Sequence, residues 1–125
     1  MPTHEIIATP TEGPGGIDAP RSAHFGKAES FTIIDVTDGV IVGSRAIINP
    51  PHEHGGCGMT VALLAREGVT SAIVVGMGPG PIAAMGANGI TPLFDDESPT
   101  ARQAAEAFAA GRRVAFGPDH SCKGH

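Results

Sequence analysis

Runs of apolar residues alternate with glycine- and proline-rich breaks along the whole chain, and the period within each run tells strand from helix. Glu5 to Thr9 reads as a short strand, followed by a Gly/Pro-rich loop from Pro10 to Pro20. Phe31 to Val36 is a run of aromatic and β-branched residues, the composition of a strand. Asp38-Gly39 comes next and is a two-residue hairpin signal. Val40 to Ile48 is therefore the antiparallel return strand, and Asn49-Pro50-Pro51 stops it. A polar turn from His52 to Gly58 leads into a helix from Met59 to Glu67, with Met59, Ala62 and Leu63 on one face and Gly68 as its stop. Ala72 to Val75 is apolar without interruption, which suits a central strand covered on both sides. Gly76 to Gly80 is a glycine turn, Pro81 fits the first position of a short helix, and Gly89 ends it. Ile90 to Phe94 is the next strand. Ser98-Pro99 is expected to cap a last helix whose Ala101, Ala104, Ala105 and Phe108 share one face.

The second half thus alternates strand and helix, which implies right-handed crossovers and parallel strands, while the hairpin contributes an antiparallel one. The expected fold is α/β: a five-stranded mixed sheet with about three helices packed on it. The 125 residues suit one domain, read here as residues 1–116, with a flexible His/Cys-containing tail at 117–125.

Composition narrows the function. With no Trp or Tyr and five Phe, the core must be built from Ile, Val, Leu, Ala and Met. The net charge of −5 and the absence of any Lys/Arg cluster argue against nucleic-acid binding. No apolar stretch approaches the roughly 18 residues that span a bilayer. The start does not read as a secretory leader, so two cysteines point to free thiols in the cytoplasm.

Soft ligands fall in loops. His52-x-His54-x-x-Cys57 occupies one polar turn, and His120-x-Cys122-x-x-His125 occupies the tail. Imidazole and thiolate suit zinc, copper and iron–sulfur species. Cys57 lies at the start of a helix between Gly56 and Gly58, where exposed amides and the helix dipole favour a thiolate and the glycines admit a bulky anionic group. The competing explanation is a small buried cysteine beside two solvated histidines, with adventitious metal affinity in the tail. His24-Phe25-Gly26 is a third candidate, with Phe25 anchoring the loop and His24 pointing out. Gly76-Met77-Gly78-Pro79-Gly80 opens a helix after the central strand, an anion-binding position. Gly78-x-Gly80-x-x-Ala83 approximates a dinucleotide fingerprint, but Pro79 and Pro81 remove two of the amides it would use, and the second half of a dinucleotide fold is missing. Hydrolase patterns are absent: there is no nucleophile elbow, no HExxH, and no acidic cluster around the first strand for a two-metal nuclease.

The segments Ile17-Asp18-Ala19-Pro20-Arg21-Ser22-Ala23-His24-Phe25-Gly26-Lys27-Ala28, Phe31 to Val36, Asn49-Pro50, His52-Glu53-His54-Gly55-Gly56-Cys57-Gly58 and Val75-Gly76-Met77-Gly78-Pro79 occur in an order and spacing that resembles the dinitrogenase iron–molybdenum cofactor biosynthesis family. The resemblance implies a ribonuclease-H-like fold without nuclease activity, with strand order 3-2-1-4-5 and strand 2 antiparallel. It implies a non-enzymatic accessory protein that holds, shuttles or inserts an iron–sulfur or molybdenum-containing cluster or its precursor, working with donor and acceptor proteins of cluster assembly and with neither nucleic acid nor membrane. On this reading His24, His52, His54 and Cys57 ligate or adjoin the cluster, and amides near Gly58, Gly76 and Gly78 offset its charge. His120, Cys122 and His125 are metal-ligand candidates outside the shared core. Gly13 to Gly16 lengthen the first loop relative to the family and are expected to reshape one side of the site. A single cysteine in the core site fits cargo that must be released. Three alternatives stay open: a simple zinc, copper or nickel binder, a phosphate or nucleotide module using Gly76 to Gly80, and an interaction domain with solvated histidines.

Overall fold

A computed structural model describes residues 4–25, 27–49, 56–77 and 79–116. The elements follow the order β1 (His4–Thr11), β2 (Ser30–Thr37), β3 (Val40–Ile48), α1 (Gly56–Arg66), β4 (Ser71–Val74), α2 (Pro79–Ala87), β5 (Thr91–Phe94) and α3 (Ala101–Ala109). They form one five-stranded sheet in the order β3-β2-β1-β4-β5. β2 runs antiparallel to both β1 and β3, whereas β1, β4 and β5 are parallel. The mixed sheet, its order and the antiparallel second strand are those expected.

The hairpin turn forms at Asp38-Gly39, where both residues have positive φ (51° and 79°). That pair of conformations defines the turn whose twist matches two antiparallel strands, and Asp-Gly adopts it readily. β3 is an edge strand. Its register against β2 shifts where Asp35 pairs with Gly43 and Val36 with Ile41, leaving Val42 as the extra residue.

Side chains alternate across the sheet with period two, so each strand feeds two cores. On one side, Ala8, Phe31, Ile33, Ala72 and Val74 pack with Val61 and Leu64 of α1 and Met85 of α2. On the other, Ile7, Ile34, Val36, Ile73 and Leu93 pack with Ala101, Ala104, Ala105 and Phe108 of α3. α1 and α2 therefore cover one face and α3 the other. β4 is buried at all four positions, as its uninterrupted apolar run requires.

Three local expectations need correction. α1 begins at Gly56 rather than Met59, and its buried side carries Thr60, Val61 and Leu64. Met59 is 67% exposed and Ala62 is exposed as well, so the face expected to be buried looks outward. Over so short a helix with few charges, periodicity alone fits either side equally well. α2 begins at Pro79, two residues before Pro81. α3 is capped by Thr100, whose hydroxyl accepts from the Gln103 amide, while Ser98 is engaged by Asp95.

Among the described residues, no helix is long and apolar enough to cross a membrane. The carboxylate of β1, Glu5, sits at the start of the strand. It is taken by Arg113, whose Nη1 and Nη2 donate to it at 2.6 and 2.9 Å.

Candidate functional site

Because β1, β3, β4 and β5 point the same way, the segments that follow them all emerge at one edge of the sheet. From β1 the chain turns to β2 on one side, and from β4 it proceeds to β5 on the other. The gap between the carboxyl ends of β1 and β4 is thus where the winding reverses, the position at which open α/β sheets bind ligands.

The loop after β1 enters this gap. Phe25 is 2% exposed and its ring lies 5.1 Å from that of Phe31 at 57°, so it fixes the loop on the α1/α2 side. His24, one residue earlier, is exposed. Its backbone forms a parallel bridge with Gly76, which follows β4. Ser22 Oγ accepts from the His24 amide at 3.3 Å and donates to the His24 carbonyl at 3.2 Å, closing the bend. The division of labour expected within His24-Phe25 is therefore present.

Asn49 holds the neighbouring connection. Its Nδ2 donates to the Ala28 carbonyl at 2.7 Å, its amide donates to the Glu29 carbonyl at 3.1 Å, and its Oδ1 accepts from Thr60 Oγ1 at 3.1 Å. One side chain thus ties the end of β3 to the His24 loop and to α1. Cys57 and Gly58 lie in the first turn of α1, at the same sheet edge, because α1 follows β3. α2 also starts there, after β4, and packs beside α1. The structure brings His24, Gly76 and the N-terminus of α1 to this one edge. His52, His54, Gly78, His120, Cys122 and His125 lie outside the described residues. Among the described residues, no three His, Cys, Asp or Glu side chains are close enough to hold a metal ion.

Below the bridge lies a buried arginine. Arg21 Nε donates to Thr9 Oγ1 at 2.8 Å, Nη1 to the carbonyls of Asp95 and Ser98 at 2.8 and 2.9 Å, and Nη2 to the carbonyl of Ile73 at 3.2 Å. Burial lowers its pKa, and the carboxylates of Asp95 and Asp96 only partly offset this. Asp95 is buried too. Burial disfavours its charge, yet hydrogen bonds from the Ser98 hydroxyl and from the Glu97 and Ser98 amides, with the Arg21 charge nearby, hold its carboxyl below the usual range.

Asp95 therefore links stability to pH. The unfolded chain keeps an ordinary carboxyl, near pH 4, and so binds more protons than the folded one just below that value. The contribution of Asp95 should be complete above pH 4 and vanish as pH falls through its lower folded value. Urea unfolding between pH 6 and pH 2 should show a steeper acid loss for the native protein than for Asp95→Asn. Parallel curves would remove Asp95 from the account.

Gly15 rests over a cluster of buried hydroxyls on the α3 side, where Thr11 Oγ1 meets Ser30 Oγ at 2.7 Å and Thr32 Oγ1 at 3.1 Å. The Gly16 amide donates to Thr32 Oγ1 at 2.9 Å. None of Arg21, Asn49 and Asp95 was expected from the sequence as a site residue. A lone arginine in a loop of small residues was the available signal for the first. Asn49 reads as a strand stop and as part of the family resemblance, and neither reading points to its hydrogen bonds.

Residues 5–111 match the family described as dinitrogenase iron-molybdenum cofactor. The chain belongs to this family. Among solved structures, the apo form of the orange protein from Desulfovibrio gigas is 28% identical, with a TM-score of 0.78 over 90% of this chain and 92% of that one. A putative NifB protein from Thermotoga is 24% identical, with a TM-score of 0.72 over 89% and 92%. A putative dinitrogenase from Methanocaldococcus jannaschii is 14% identical, with a TM-score of 0.70 over 91% and 96%, a likeness of fold. No curated protein matches the chain in sequence. As a member of the dinitrogenase iron-molybdenum cofactor family, the chain is cofactor-related, and the edge at which His24 and Gly76 meet is its candidate site.

Proposed function

We propose that this protein is a non-enzymatic accessory that holds an iron–sulfur or molybdenum-containing cluster, or a precursor of one, and passes it between donor and acceptor proteins of cluster assembly. The observation that carries the reading is the docking of the exposed His24 beside Gly76, at the edge where α1 begins with Cys57 in its first turn. Family membership supports the same cargo class. His24, His52, His54 and Cys57 supply imidazole and thiolate, the donors such cargo takes. Amides at Gly58, Gly76 and Gly78 and the dipole of α1 favour its negative charge. Holding the cargo requires no bond to be made or broken in a substrate, and few ligands leave it free to depart. His120, Cys122 and His125 would add a second set of donors.

The test is iron, molybdenum and sulfide analysis with an absorption spectrum on protein purified without oxygen, repeated for the double variant His24→Ala, Cys57→Ala. Stoichiometric iron or molybdenum with visible sulfur-to-metal bands, lost in the variant, is the expected result. A lone zinc or copper ion would replace the proposal with simple metal handling. Colourless protein that also takes up no supplied cluster would end it.

A further inference from the structure

Arg21 and Ile73 stand three residues before His24 and Gly76, respectively, on two segments that are bridged in parallel. The backbone of Arg21 is bridged to Thr11 of β1, while its guanidinium bond to the Ile73 carbonyl and the His24–Gly76 bridge tie the same two segments together at two levels, three residues apart on each. From the geometry we infer that Arg21 is the positioning residue of the site: its buried guanidinium sets the register of the His24 loop against the glycine turn after β4, and so places the His24 imidazole. The inference deepens the reading of His24 as a cargo ligand and rests on it for its functional consequence.

Three observations support it. First, Arg21 addresses four acceptors on three separate pieces of chain: β1 through Thr9, β4 through Ile73, and the turn between β5 and α3 through Asp95 and Ser98. Thr9 Oγ1 in turn donates to the Ile73 carbonyl at 2.8 Å, so the lock is shared between β1 and β4. Second, the backbone around Arg21 is tied at the same level. Its amide donates to the Pro99 carbonyl at 3.0 Å, and the Ser22 amide donates to the Pro10 carbonyl at 2.9 Å. The loop can therefore advance past the strand ends only as a unit. Third, the fork is specific to arginine. A planar guanidinium reaches several carbonyls in fixed directions, whereas the ammonium of lysine is a single donor centre that cannot span them. A parallel segment that slips by one residue turns its side chains to the opposite face. Such a slip would carry His24 away from the Gly76 side while leaving the central sheet intact.

The experiment compares the full chain with Arg21→Lys, and with Thr9→Val as a milder variant should Arg21→Lys fail to fold. Amide hydrogen exchange is followed by NMR in the metal-free protein, and uptake of ferrous iron plus sulfide is followed by absorption under anaerobic conditions. In Arg21→Lys, exchange should accelerate at least tenfold at residues 23–25 and 75–77 while Ile33 and Ile34 of β2 keep their protection. Cluster uptake should fall as far as it does in His24→Ala. Thr9→Val should show the same local pattern at smaller size. Unchanged exchange at 23–25 and 75–77, or equal acceleration throughout the sheet, would overturn the positioning role, because a merely structural arginine would loosen everything or nothing locally. If His24→Ala takes up cluster like the native protein, the ligand reading of His24 fails, and the exchange pattern still decides the role of Arg21 independently.

Discussion

Phe25→Ala should lower the unfolding free energy by about 3–5 kcal/mol, the usual cost of emptying a buried phenylalanine site. The ring is almost wholly buried, tilts against Phe31, and belongs to the same cluster as Val61 of α1 and Met77 after β4. No other residue between 20 and 27 brings a large apolar side chain into the core, so the loop loses its anchor along with the packing. Phe25→Leu should cost less, since it keeps most of the apolar volume. Urea unfolding followed by circular dichroism measures both. If the bridge at Gly76 depends on that anchor, Phe25→Ala should also weaken cluster uptake at temperatures where the sheet is still folded. A loss below about 1 kcal/mol would mean that the surrounding residues close over the space and that the loop is held by its hydrogen bonds instead.

The second large effect is expected at Gly15, where two costs add. Its φ of +81° lies in the left-handed region, which costs a residue with a Cβ roughly 1–2 kcal/mol. The new methyl would also stand 2.7 Å from Ser30 Oγ and 2.9 Å from the Ala46 Cβ. Neither atom can retreat easily, because Ser30 is fully buried and bonded to Thr11. Overpacking of that kind costs about 1–3 kcal/mol. Gly15→Ala should therefore destabilise by about 2–5 kcal/mol. Gly13 is the internal control. Its φ is +61° but nothing lies within 4 Å of its Cβ position, so Gly13→Ala should carry the conformational cost alone. Equal losses for the two variants would show that the hydroxyl cluster yields to the methyl. Should Gly15→Ala also spare cluster uptake in the folded protein, the lengthened first loop would be confirmed as a structural cover on the α3 side.

Surface ion pairs are a smaller matter. Arg102 with Asp18 and Arg112 with Glu97 are formed at exposed positions, where solvent screening leaves each pair little net effect. The buried Arg21 differs because it serves four largely buried acceptors, and its loss would remove a partner from each of them.

The sequence by itself determined the elements whose signals are local. β-Branched runs, the Asp38-Gly39 turn and the strand–helix alternation of the second half were enough to place five strands and three helices, and the motif order placed them in a family. The buried face of α3 was legible because Ala101, Ala104, Ala105 and Phe108 stand among charged and polar neighbours, so only one side can turn inward. The same logic failed for α1, whose residues carry no charge before Arg66; Met59 and Val61 were equally plausible core residues until the neighbours were known. His24 was legible as a candidate because it adjoins an anchoring phenylalanine. Its closeness to Gly76 was not, since 52 residues separate them and only the parallel pairing of β1 with β4 closes that distance. The roles of Arg21 and Asn49 likewise come from carbonyls and hydroxyls donated by distant strands. Pattern along a chain records which side of an element avoids water. Which polar groups meet at the end of a sheet is decided only when the strands have been laid side by side.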